Sequence, residues 1–176
     1  MRNAAFLAAG LALLLVQANL FRLTGWFNVP GLVPSLVLPL ILFMGVHEYS
    51  LTRGATVSFL LGYATDLIGI APIGLHTFTY VALFLMARVL GVRLAAQTVM
   101  MQITLVAAFT LVHGVMILVL LAIFGRDAYV PRTLYLLAIP HVLATGAVAP
   151  FVFRIAQRVH SSTVSGSHTD AGGSRV

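Results

Sequence analysis

The chain contains no cysteine and no lysine, and only four of its 176 residues are acidic. Without cysteine there is neither a disulfide framework nor a thiolate metal site. Charge of either sign is scarce: 8% of residues carry it, against about a quarter in an ordinary soluble domain. All ten basic residues are arginine, an imbalance that says nothing about nucleic acid. What remains is close to hydrocarbon, with 60% hydrophobic residues and a mean hydropathy of +1.04. Such a chain belongs in a bilayer, and its formal charge of +6 reads as membrane topology rather than as a binding patch.

Six apolar stretches approach the length of about 20 residues that crosses a bilayer. They cover residues 4–23, 35–49, 55–70, 72–90, 96–124 and 133–159. The second and third are short, and the fifth is long enough to tilt or project beyond the lipid. The pattern predicts an all-α polytopic membrane protein, a six-helix bundle in one domain over 1–159. Residues 160–176, rich in Ser, Gly, Thr and His, offer no apolar face and are expected to be a disordered cytoplasmic tail.

Arginine placement orients the bundle. With the N-terminus in the cytoplasm, Arg2, Arg53, Arg88, Arg93, Arg154, Arg158 and Arg175 lie inside, and Arg22, Arg126 and Arg132 outside. Both termini are then cytoplasmic. The first 18 residues also have the shape of a signal peptide, with Val16 and Ala18 placed as at a cleavage site. Removal would leave five spans.

Within the third span Gly54, Ser58, Gly62 and Asp66 recur every four residues. On a helix they form one narrow stripe of small side chains ending in a carboxylate. Small residues let helices approach closely in lipid, so the stripe predicts a helix–helix contact. The first span repeats the device more weakly through Ala4, Ala8 and Ala12, with Ala5 and Ala9 beside them. Asp66 falls about a turn from the outer end of its span. Three roles are open to it: a structural bond to the following turn, His76 or interfacial water; a proton-relay or ligand-binding group; or a partner for an arginine of another subunit.

Chemistry is hard to find. His47 and Glu48 stand in HEYSL, which lacks the second histidine of a zinc-protease motif. Intramembrane aspartyl proteolysis needs two facing carboxylates, and with Glu48 placed at the cytoplasmic interface beside Arg53 only Asp66 is available within the spans. A serine mechanism needs a paired Ser and His in a suitable turn, and none is present. His113 and His141, alone in the fifth and sixth spans, are each expected to make one interhelical hydrogen bond. A metal site from His76, His113 and His141 would require three helices to meet at one depth. His76 is placed near the outer end and His113 near the middle, which argues against it. No cofactor is implied. Gly146, Pro150, Arg154 and Arg158 again fall at four-residue intervals, and the two arginines anchor a cytoplasmic helix end for anionic lipid or a docking partner.

The order of these features resembles the MreD family of rod shape-determining proteins. The matching stretches are PSLVLPLILFMG (34–45), GATVSFLLGYATDLIGIAPIGLHTF (54–78) and GAVAPFVFRIAQRV (146–159), with Gly62, Asp66 and Gly74 in place in the middle block. The resemblance covers roughly residues 4–159 and stops short of the tail. It implies a non-catalytic inner-membrane subunit of the bacterial cell-elongation complex that binds MreC. That complex includes MreB and RodA with its transpeptidase, and serves lateral peptidoglycan synthesis. It also implies a fold like the substrate-binding components of energy-coupling-factor transporters, a likeness that carries no function. The alternative is a substrate-binding component of a vitamin-type transporter, with Asp66, His76 and Thr77 as polar groups of its pocket. Under the first reading the small-residue stripes of spans one and three are the surfaces offered to MreC's single helix.

Overall fold

The computed structural model describes residues 2–24, 33–47, 50–69, 72–90, 98–124 and 133–165. Among them are six helices and no strand: α1 (Arg2–Thr24), α2 (Val37–His47), α3 (Leu51–Ile68), α4 (Leu75–Val89), α5 (Val99–Phe124) and α6 (Thr133–Ser165). Glu48, Arg93, Arg126, Arg132 and the tail from 166 lie outside the described residues. The sixth helix runs to Ser165, past the boundary of 159 that apolarity alone suggested, because nothing in RVHSSTVS breaks a helix.

Successive helices alternate in direction. Ala4 and Thr52 line one cleft and Gln17 and Thr65 another, so α1 and α3 run parallel. Gly54 faces Phe84 while Gly62 faces Thr77, so α4 runs back along α3. Phe6 lies 6.4 Å from His160 between ring centres, which brings the start of α1 to the end of α6. This alternation gathers Arg53, Arg88, Arg154, Arg158 and His160 at one end of the bundle and Asp66, Gly74 and His76 at the other.

At the centre stands α2. Every residue from Val37 to Val46 is buried, and the helix touches all five others. With 11 residues it is only about 16 Å long, roughly half a hydrocarbon core. The second span expected from the sequence is therefore a buried half-helix. Apolarity marked it as membranous, but its neighbours, not lipid, provide its apolar surroundings. Its entry needs polar partners, since the first N–H groups of a helix have none within it. The N–H of Ser35 donates to Thr145 Oγ1 at 3.1 Å and that of Leu36 to Gln17 Oε1 at 2.9 Å. Thr145 in turn donates to the carbonyl of His141 at 2.7 Å. Thr145→Val keeps the shape and removes the acceptor. It should cost about 1–2 kcal/mol, read as a lower thermal midpoint in detergent.

The outer surface is apolar as well. Val89, Met100, Val115, Ile123, Phe124, Phe151 and other large hydrophobics are exposed, far beyond what a soluble monomer shows. Two helical segments, Val99–Phe124 and Ala138–Ser161, are long and apolar enough to cross a bilayer, and Ala4–Leu20, Val37–His47 and Leu75–Val89 are shorter apolar helices.

Candidate functional site

The most elaborate local structure joins the end of α3 to the start of α4. Gly74 takes φ 101°, a left-handed conformation open to glycine, and serves as N-cap of α4 without a side chain to cap it. Asp66 supplies the cap from the neighbouring helix. Its Oδ2 accepts from the Gly74 N–H at 2.9 Å, the Thr77 N–H at 3.0 Å and the Thr77 hydroxyl at 2.7 Å. Its Oδ1 accepts from the His76 N–H at 2.9 Å and from His76 Nδ1 at 2.9 Å. Five donors thus enclose a carboxylate whose side chain is fully buried. A negative charge at a helix N-terminus also meets the positive end of the helix dipole. The desolvation cost of this charge is offset by these five donors, none of which, among the described residues, is an arginine.

Beyond Asp66 the polar groups continue inward. The Tyr80 ring packs edge-on to His76 at 6.0 Å and stacks on His113 at 5.5 Å, and His76 and His113 are themselves 6.0 Å apart between ring centres. These two histidines therefore share a depth, contrary to the placement expected from the sequence. At 26 residues α5 is about 39 Å long, against about 22 Å for the 15 residues of α4. The middle of α5 can then sit level with the first turns of α4. His141 does find a partner outside its helix: its Nδ1 lies 2.7 Å from the carbonyl of Val33. His113 differs from expectation, because its buried Nε2 has no hydrogen-bond partner. Among the described residues no three His, Cys, Asp or Glu side chains come together as metal ligands.

The small-residue stripe of α3 is spent inside the bundle. A Cβ on Gly54 would run into the Phe84 ring, and one on Gly62 would lie 2.5 Å from Thr77 Cα and 2.9 Å from the His76 carbonyl oxygen. Ser58 is buried with them. The two glycines serve the α3–α4 seam and Ser58 between them is covered, so this stripe is not available to another chain. Four-residue spacing reveals a close contact but not with whom. On α1, by contrast, Ala4, Ala8 and Ala12 are exposed, with Ala5 and Ala9 partly covered. Gly146 packs on Ile103 and Ala107 at ordinary distances, and Arg154 and Arg158 are exposed at the arginine-bearing end. Sequence reasoning missed Gln17 and Thr145 as caps of α2 and Tyr80 as the ring between two histidines. An isolated amide or hydroxyl in an apolar run was the available signal.

Comparison with known proteins gives one family: residues 2–159 match that described as rod shape-determining protein MreD. No curated protein and no solved structure matches the chain.

Proposed function

The chain belongs to the MreD family of rod shape-determining proteins, and on that premise we propose that it is a non-catalytic, multi-pass subunit of the bacterial cell-elongation complex. In this reading it sits in the inner membrane with both termini cytoplasmic and binds and stabilises MreC. It thereby supports lateral peptidoglycan synthesis together with MreB and RodA with its transpeptidase partner. The family match over nearly all of the helical part carries the reading. Two further features support it. Arg53, Arg88, Arg154 and Arg158 gather at one end of the bundle, in keeping with a positive-inside topology. The best-formed polar site, around Asp66, works as a structural clasp. The vitamin-transporter reading gains nothing from the family match. A fold like the energy-coupling-factor components remains part of the proposal only at the level of six helices.

The partner face we assign is the exposed side of α1, where Ala4, Ala8 and Ala12 leave room for another helix backbone. Tagged protein should co-purify with MreC from mild detergent. Ala8→Leu should weaken that association roughly tenfold, from a packing cost of about 1–3 kcal/mol, while the folded yield stays unchanged. Unaltered association would remove α1 from the interface, and absence of MreC from the wild-type preparation would remove the reading itself.

A further inference from the structure

Between α1 and α3, at the arginine-bearing end of the bundle, lies a cleft of about 200 Å³. Its lining is graded. Arg53, in the first turn of α3, stands with Thr52 and Thr56 toward the end of the bundle, and Val57 and Leu60 of α3 face Leu7 of α1 further in. Positions 53 and 60 are two helical turns apart, so the surface passes from guanidinium through hydroxyl to hydrocarbon over about 10 Å. Leu60 and the neighbouring Phe59 are 41% and 51% exposed, which opens the cleft sideways to the bilayer rather than inward to the core. Nothing nearby neutralises the charge at its mouth. Arg53 is exposed, the first turn of α3 has no acidic residue, and Asp66, the one carboxylate among the described residues, is at the far end of the same helix. The positive end of the α3 dipole adds to the Arg53 charge.

We propose that this cleft binds one anionic phospholipid, with its phosphate on the Arg53 guanidinium and one acyl chain between α1 and α3. Each level of the lining selects this occupant. A guanidinium pairs with a phosphate through two parallel hydrogen bonds. A soluble anion has no use for the apolar floor, and an acidic segment of a soluble protein does not reach down a lipid-facing cleft. A partner helix is too thick: one turn with its side chains, about 10 Å across and 5.4 Å long, fills roughly 400 Å³. An extended hydrocarbon chain is thin enough to enter. Ala4 edges the same cleft, so the lipid borders the α1 face assigned to MreC, but the site stands without that assignment.

Native mass spectrometry of the delipidated full chain tests this, with phosphatidylglycerol and phosphatidylcholine of equal acyl length as competing probes and no MreC present. The wild type should retain one phosphatidylglycerol about fivefold better than phosphatidylcholine. Arg53→Gln should remove that preference, whereas Arg154→Gln, an exposed arginine at the same end, should preserve it. Thr56→Phe, which fills the cleft beneath the charge, should lower retention of both lipids severalfold. Arg53 and Thr56 are both exposed, so neither change disturbs the core. An equal preference in wild type and Arg53→Gln would overturn the proposal and leave Arg53 to Glu48, its neighbour in the sequence reading. Unchanged lipid retention by Thr56→Phe would overturn it too. So would a dimer that Thr56→Phe dissolves, or loss of MreC association in that variant with its lipid still bound, since either gives the cleft to a protein.

Discussion

Gly62→Leu is expected to abolish the folded protein, giving little or no monodisperse material from mild detergent. The reason is the nature of the atoms in the way. A Cβ at this position would stand 2.5 Å from Thr77 Cα and 2.9 Å from both the His76 carbonyl oxygen and the Thr77 nitrogen. All three are backbone atoms, so no rotamer change makes room. α4 would have to move away from α3 by about an ångström to restore ordinary carbon contact distances. That movement stretches the bonds that Asp66, one turn further along α3, makes at 2.7–3.0 Å to Gly74 and Thr77. Overpacking in a core that can adjust costs about 1–3 kcal/mol. Here Gly62→Ala should reach that range, and leucine should exceed it. Gly54→Ala should be milder than Gly62→Ala, since its obstacle is the Phe84 ring, a side chain with freedom to turn. Because Gly62 and Asp66 hold the same pair of helices, the two sites should couple in a double-mutant cycle. Wild-type yield for Gly62→Leu would show that the α3–α4 seam is not packed as described.

How much of this was legible in the sequence depends on the kind of information each residue carries. Spacing identifies a face: Gly54, Ser58, Gly62 and Asp66 announced a close helix contact and a carboxylate at its end. Spacing does not identify the opposing surface, and the stripe turned out to serve α4 rather than another chain. Composition identifies apolar segments but not what surrounds them, so the half-helix α2 read as a span when it is a core element of 11 residues. Depth was the least legible quantity. It depends on the lengths and tilts of two different helices, and an error of a few residues in each is enough to separate His76 from His113. The caps of α2 were invisible for a related reason, since Gln17 and Thr145 come from α1 and α6 and converge on Ser35 and Leu36 only in three dimensions. The clasp was closest to being readable, because Asp66, Gly74, His76 and Thr77 lie within one helix–turn–helix.

That clasp sets the second large prediction. Asp66→Leu leaves five donors without an acceptor, among them the N–H groups of Gly74, His76 and Thr77 at the start of α4. A buried group of charge-assisted bonds lost in this way should cost about 3–5 kcal/mol, enough to remove most of the folded population of a marginally stable bundle. Asp66→Asn is less simple than a loss of charge. Both carboxylate oxygens accept, and neither donates, so the amide must turn its NH₂ toward one of the two sets. Facing His76 is the better choice, because the His76 ring can change tautomer and accept at Nδ1 while only its backbone N–H loses a partner. Facing Gly74 and Thr77 would leave two backbone N–H groups opposed to a donor. The expected order of folded yield is therefore aspartate, then asparagine, then leucine, with asparagine losing about 1–3 kcal/mol rather than being silent. Thermal unfolding in detergent orders the three. If asparagine and leucine fall together, the charge at the helix N-terminus, rather than the acceptor geometry, holds α3 to α4. If leucine matches the wild type, Asp66 is not a clasp at all, and a buried carboxylate with five partners would need another purpose.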